Sequence, residues 1–185
     1  MVTLSRRSMR VDCSAMASTI ASRPIATRGQ ATRDAILTGW LLCGALDITA
    51  ACLQAWIQFA RAPADVLRGV ASALWGRAAM TGGPGMAAIG LAMHFTVALT
   101  ATVVFYGLSR RIAFLRSMPL WIVGPVYGVI VFCAMNYGTL PALSWLRSLY
   151  LHTPPRWPGS MSWPQLAIHM ACVGSPIAWG VRRAR

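Results

Sequence analysis

Four apolar stretches, each long enough to cross a bilayer and each carrying one strongly polar residue, constrain this chain more than anything else in its sequence. They run over about 35–60, 86–108, 120–143 and 164–181, and hold Asp47, His94, Asn136 and His169 respectively. A helix needs about 20 mainly apolar residues to cross hydrocarbon about 30 Å thick. The spacing therefore predicts an all-α fold, an integral membrane four-helix bundle. Residues 34–185 make up the four-span domain, preceded by an Arg/Ser-rich tail over residues 1–33.

Composition supports lipid as the solvent. The chain is 56% hydrophobic and 11% charged, with mean hydropathy +0.55, whereas soluble domains carry about 25% charged residues. Its net charge is +13, from 17 basic against 4 acidic residues, and every basic residue is Arg. A nucleic-acid surface would cluster these on one folded soluble face. Here they lie between apolar runs, where they act as topology signals, and no nucleic-acid partner is expected. The cysteines, Cys13, Cys43, Cys52, Cys133 and Cys172, form no CxxC. That scatter reads as apolar packing and not as a disulfide framework or a metal site.

The tail, with Arg6, Arg7, Arg10, Arg23, Arg28 and Arg33 against Asp12, cannot bury a core and reads as a disordered cytoplasmic segment. Two alternatives share its composition: a start codon placed upstream of Met9 or Met16, and an organellar transit peptide. Ser5-Arg6-Arg7 is followed by no clean apolar run before Pro24, which argues against a twin-Arg signal. Within span 1, the Leu, Ile and Phe residues contribute about −4 kcal/mol to insertion, and Asp47 costs about 2.5 to 3.5 kcal/mol at mid-span. Thr49-Ala50-Ala51-Cys52 lacks the Leu of a lipoprotein cleavage box and follows that same Asp47.

Between spans 1 and 2, Pro63 and Asp65 suit a helix start. Asp65, Arg68, Ser72 and Gly76 fall on one face, and Val66, Leu67, Val70 and Leu74 fall largely on the other. This spacing predicts a short interfacial helix, broken by Thr81-Gly82-Gly83-Pro84-Gly85. In span 3, Gly124 and Gly128 form a GxxxG step for close helix packing, and Pro125 predicts a kink. Residues 144–165 read as a Trp- and Pro-rich loop. Span 4 is the least hydrophobic of the four, so it depends on packing against the others.

Six arginines in the tail, three in the 109–118 loop and three after span 4 fall on one side of this topology. Three in segment 61–85 and two in loop 144–165 fall on the other. The excess places both termini in the cytoplasm. Trp40, Trp56, Trp121, Trp145, Trp163 and Trp179 lie near the predicted span ends, as an aromatic belt does.

The four polar residues fall at similar depth, since a helix rises about 1.5 Å per residue. Asp47 shares a face with Cys43, Gly44, Ala50, Ala51, Gln54 and Gln58; His94 with Ala87, Gly90, Ala98 and Ala101; His169 with Gln165, Cys172 and Pro176. Small-residue faces are where membrane helices pack, so Asp47, His94, Asn136 and His169 are expected to form an intramembrane polar cluster. One reading is structural: the four groups satisfy one another. A second is proton-linked transport of a solute, with Asp47 exchanging a proton and a His as partner. A third is a redox protein in which His94 and His169 ligate haem b. A non-catalytic accessory subunit is a fourth. No Ser-His-Asp spacing, HExxH or phosphate loop points to an enzyme. The expected partners are the lipid bilayer and a second copy of the chain in a homo-oligomer, and no metal or catalytic residue is assigned.

Gly90-Leu91-Ala92-Met93-His94-Phe95 leading to Tyr106, the Gly-rich span 3, and Ile168-His169 running to Arg182-Arg183 resemble the four-span bacterial inner-membrane proteins called YagU-like. The likeness covers roughly 86–182, and span 1 departs from it. It implies a bacterial inner membrane, the mitochondrial inner membrane being the alternative, and implies no mechanism.

Overall fold

The computed structural model of the protein describes residues 28–155 and 161–183, and these are all-helical, without strands. Helix α1 (Arg28–Phe59) is followed by α2 (Pro63–Trp75), a short α3 (Arg77–Thr81), α4 (Pro84–Arg111) and a short α5 (Ala113–Ser117). Then come α6 (Leu120–Leu151) and α7, which covers 163–183. Helices α1, α4 and α6 are long and apolar enough to cross a membrane. Only 17% of the apolar window of α1 is buried inside the fold, and Leu53, Trp56 and Ile57 point outward. An apolar surface this continuous needs an apolar solvent, the pattern of a membrane protein.

Local chemistry sets the boundaries. Ala60 takes a left-handed φ of 50° and ends α1. Pro63 opens α2 where a missing N–H costs nothing, with Asp65 in its first turn. Gly76 closes α2 at φ 61° beneath the side chains of Arg147 and Leu151, so a side chain there would be both strained and crowded. Arg110 and Arg111 occupy the last turn of α4, at the negative end of its dipole.

Several boundaries differ from those expected. Residues 28–33, assigned to the tail, are helical, because nothing between Arg28 and Phe59 breaks the helix; residues 1–27 lie outside the described residues. Trp40 is consequently internal to α1, and its indole N–H donates to the Phe95 carbonyl of α4 at 2.8 Å, tying the two helices together. Residues 144–151, assigned to a loop, complete α6, which ends at His152 (φ 52°) just before Pro154-Pro155. Pro125 lies in an unbroken α-helical run, Leu120–Cys133. The departures from α geometry are wide π turns over Ala134–Thr139 and His169–Gly174. Each ends two residues before a proline, Pro141 and Pro176, where the ring removes one N–H and crowds the preceding turn.

Packing rests on glycine. A Cβ on Gly174 would fall 2.0 Å from the Gly124 carbonyl oxygen and 2.4 Å from the Gly128 nitrogen, so α6 and α7 meet backbone to backbone. Gly180 meets Gly39 of α1 in the same way, and a Cβ on Gly90 of α4 would fall 1.9 Å from the Leu67 carbonyl oxygen of α2. Cys43, Ala98, Phe105, Tyr127, Val173, Ile177 and Val181 form the core among these helices.

Polar ties fix the two ends. At one, the Thr32 and Tyr106 hydroxyls are 2.8 Å apart, and Arg182 donates to the carbonyls of Met118 and Leu115. This end gathers Arg28, Arg33, Arg110, Arg111, Arg116, Arg182 and Arg183. At the other end, Tyr150 donates to the Leu74 carbonyl. Arg147, only 8% exposed, donates to the Ser72 carbonyl at 3.1 Å and the Ser144 hydroxyl at 3.2 Å. Arg147 thus caps the C-terminus of α2 and docks it on α6, a role hidden while 144–165 reads as a loop. Replacing it with Gln should lower stability by about 2 kcal/mol, the worth of hydrogen bonds from a charged donor. Unfolding in mixed micelles measures this, and an unchanged midpoint would mean that α2 is held by other contacts.

Candidate functional site

A cavity of about 470 Å³ runs inside the bundle. It extends from Cys43, Asp47 and His94 to Phe59, Arg61 and Asp65, where α1 gives way to α2. Asp47 lies 12 residues before Phe59, hence about 18 Å along α1 from that end. The walls are mainly apolar, from Val97, Val131, Met135 and Leu143 among others, and the polar groups are few: Asp47, Gln54, Asp65, His94, Thr139, Gln165 and His169, with Arg61.

Each polar group is placed by its helix. Gly44 lies one turn before Asp47, and its carbonyl oxygen is 2.9 Å from His94 Nε2. A carbonyl only accepts, so His94 Nε2 carries the hydrogen. The His94 ring also packs edge-on to Phe95, at 5.6 Å between centroids. This fixes the ring with Nδ1 toward Asp47, whose Oδ2 stands 3.9 Å away. That distance exceeds a direct hydrogen bond but is within reach of an ion pair. The His94 and Asp47 side chains are only 12% and 14% exposed, and Asp47 Oδ1 is buried without a partner.

His169 is held by a second constraint. Its Nδ1 donates to the Gln165 carbonyl of its own helix at 2.9 Å, and its ring packs edge-on to Phe132 at 5.4 Å. The remaining Nε2 is then an acceptor. His169 is 7% exposed and lines the same cavity as Asp47 and His94.

Three of the four residues expected to cluster therefore line one cavity, and only Asp47 and His94 approach each other. Asn136 lies outside it: its amide donates to the Phe132 carbonyl at 2.9 Å, four residues back. It sits in the π turn, and the depth that placed it with the others does not fix the direction of its side chain. The imidazoles of His94 and His169 do not offer matching atoms, since His94 Nε2 is engaged by Gly44. Among the described residues, no three of His, Cys, Asp and Glu gather closely enough to hold a metal ion.

Asp65 and Arg61 at the mouth do not stand out in the sequence as site residues, because the two-faced pattern of α2 suits an interfacial helix. In the structure α2 packs along α4, with Leu67 over Gly90, so that Val66, Gly69, Val70 and Ala73 form one wall of the cavity. The one available signal was Gly90 itself, a small residue in the middle of an apolar helix. Asp65 pairs with Arg68 at 2.8 Å, a partly exposed i,i+3 pair of small worth.

No protein-family model, curated protein or solved structure matches this chain.

Proposed function

We propose that this is a four-span membrane protein in which the Asp47–His94 pair binds and releases a proton in the course of solute transport. The observation that carries the reading is the buried carboxylate facing an imidazole acceptor inside a cavity that reaches one end of the bundle. With Nε2–H committed to Gly44, the pair lacks one hydrogen between Nδ1 and Oδ2. With that hydrogen the pair is either imidazolium–carboxylate or imidazole–carboxylic acid, and both are neutral overall. Without it, a net negative charge is left in a low-dielectric site, where it costs several kcal/mol unless a cation replaces it. A group that must hold either a proton or another cation is the element proton exchange requires. A purely structural Asp would be an expensive way to gain interhelical bonds averaging about 0.6 kcal/mol.

The fourth span is α7, which threads its glycines against α1 and α6. The arginine-rich end, where the α1 N-terminus, the α4–α6 connector and the α7 C-terminus meet, faces the cytoplasm, and the cavity mouth faces the other side. The membrane is the bacterial inner membrane that the YagU-like resemblance implies. A reporter fused after Arg185 should be active only as a cytoplasmic reporter. Activity of a periplasmic reporter at that position would invert the orientation.

Transport is tested in liposomes carrying a trapped pH dye, screened with amines, amino acids, sugars and organic acids. At least one class should dissipate an imposed pH gradient with the wild type and fail to do so with Asp47→Asn. Silence across all classes would contradict transport. Haem ligation by His94 and His169 rests on both imidazoles lining one cavity, but with Nε2 held by Gly44, His94 would have to ligate through Nδ1, the nitrogen that faces Asp47. Protein purified from haem-replete cells should show no Soret band, and a band lost in His169→Ala would overturn the transport reading.

A further inference from the structure

The cavity's hydrogen-bonding polarity also identifies a class of solute, an inference that rests on the proton-exchange reading above. We infer that the cavity receives a primary or secondary organic ammonium ion with a compact apolar body, which exchanges for the proton of the Asp47–His94 pair. Both imidazoles have spent their N–H groups on backbone carbonyls, His94 on Gly44 and His169 on Gln165. What they present is therefore lone pairs: Nδ1 of His94 and Nε2 of His169. Asp47 adds a carboxylate whose Oδ1 has no partner. Three side chains from three helices thus offer acceptors to one space, alongside the amides of Gln54 and Gln165 and the Thr139 hydroxyl, and lone pairs grouped with a carboxylate favour a charged donor.

The size of the ligand follows from two observations. A bare metal ion would need three close ligands, and the acceptors are too dispersed to supply them. The cavity of about 470 Å³ matches small-molecule sites, which begin near 300 Å³. Its walls at Met93, Val97, Ala98, Val131 and Leu143 suit an apolar body. At the mouth, Asp65 is held by Arg68, while Arg61 stacks on Phe59 at 5.6 Å, and its positive charge attracts anions. Selection against anions therefore falls to the interior, where Asp47 sits.

The exchange balances in charge. The ammonium arrives protonated and donates N–H bonds to Asp47 and a histidine. The proton held between Asp47 and His94 leaves to water at the mouth, so one positive charge replaces another. The other titratable groups around Asp47 are Cys43 on α1, and Cys172 and His169 on α7. Asp47 is the only carboxylate among them.

The test is calorimetric titration of the full chain in detergent with four probes of nearly one shape: benzylammonium, benzyltrimethylammonium, benzyl alcohol and benzoate. Benzylammonium should bind most tightly, with about one proton released per ligand in buffers of differing ionisation heat. Benzyltrimethylammonium should bind more weakly because it donates no hydrogen bond, and benzyl alcohol and benzoate should not bind detectably. Asp47→Asn should weaken benzylammonium by about a hundredfold, as losing one partner of a buried pair does, and Asn136→Ala should leave it unchanged. The comparison among probes uses wild-type protein alone, so a variant that misfolds does not blunt it. Equal binding of alcohol and ammonium, or preference for benzoate, overturns the ammonium inference while leaving the proton site intact if the Asp47 carboxyl still titrates. If that carboxyl is silent as well, both readings fall.

Discussion

Asp47→Asn should reduce pH-driven solute flux to the level of liposomes without protein, while the protein still inserts and folds. The amide has the shape of the acid and can donate to His94 Nδ1, which faces position 47 at 3.9 Å. The helix contacts therefore survive, and the stability change should stay within about 1 kcal/mol, the scale of interhelical hydrogen bonds in membranes. What disappears is a group that can lose its proton. Asp47→Leu sharpens the contrast. Removing a carboxyl from mid-span recovers an insertion cost of about 2.5 to 3.5 kcal/mol and adds an apolar side chain, so this variant should be at least as stable as the wild type and equally inactive. A structural role makes the opposite expectation: with Asp47 as interhelical glue, Asp47→Leu would loosen the bundle. Flux and unfolding measured on the same two variants separate these outcomes.

Gly174→Val should have the largest effect on stability. The first added carbon would fall 2.0 Å from the Gly124 carbonyl oxygen and 2.4 Å from the Gly128 nitrogen, all backbone atoms that cannot swing aside. Overpacking a close contact costs about 1 to 3 kcal/mol, and a clash with two backbone segments belongs at the top of that range. The displacement should also widen the gap between Gly128 and the His169–Met170 backbone, which now meet within contact distance, and so move His169 away from the cavity. Gly107→Ala is the matched control. A Cβ on Gly107 meets nothing within 4 Å, and Ala is the better helix former by up to about 1 kcal/mol, so this variant should be neutral or slightly stabilised. If Gly174→Val unfolds at the same denaturant concentration as the wild type, α6 and α7 are not held by this crossing.

Much of the helical fold was legible because long apolar helices leave a coarse signature: apolar runs, polar residues where helices face each other, arginines between runs. The small faces of span 1 and span 2 mark Gly44, Asp47, Gly90 and His94 as inward-facing, and Gly44 and Gly90 pack against Phe95 and Leu67. What was hidden depends on backbone irregularity and on chain partners. Asn136 joins the expected cluster by depth alone, and depth does not tell which way a side chain points in the π turn over Ala134–Thr139. The same turn absorbs Pro141, so the helix continues through a region whose Trp and Pro content suggested a loop. Helix α2 reads as interfacial because its two faces differ in polarity, but that contrast is equally suited to a helix packed on α4 with Arg147 at its C-terminus. Periodicity along one helix cannot distinguish lipid headgroups from a neighbouring helix as the partner. The tautomers of His94 and His169, which give the cavity its acceptor character, depend on single backbone carbonyls and have no sequence signature.

The most direct measurement is infrared difference spectroscopy of the membrane-reconstituted protein, titrated between about pH 4 and pH 9, where carboxyls and imidazoles exchange protons. A buried protonated carboxylic acid absorbs apart from carboxylate and amide bands. The expected result is a carboxyl band that grows as the pH falls, vanishes in Asp47→Asn and shifts its midpoint in His94→Gln. A wild-type spectrum with no such band, or with one that persists unchanged in Asp47→Asn, would contradict a proton held by Asp47 and His94 and leave the pair as structural packing alone.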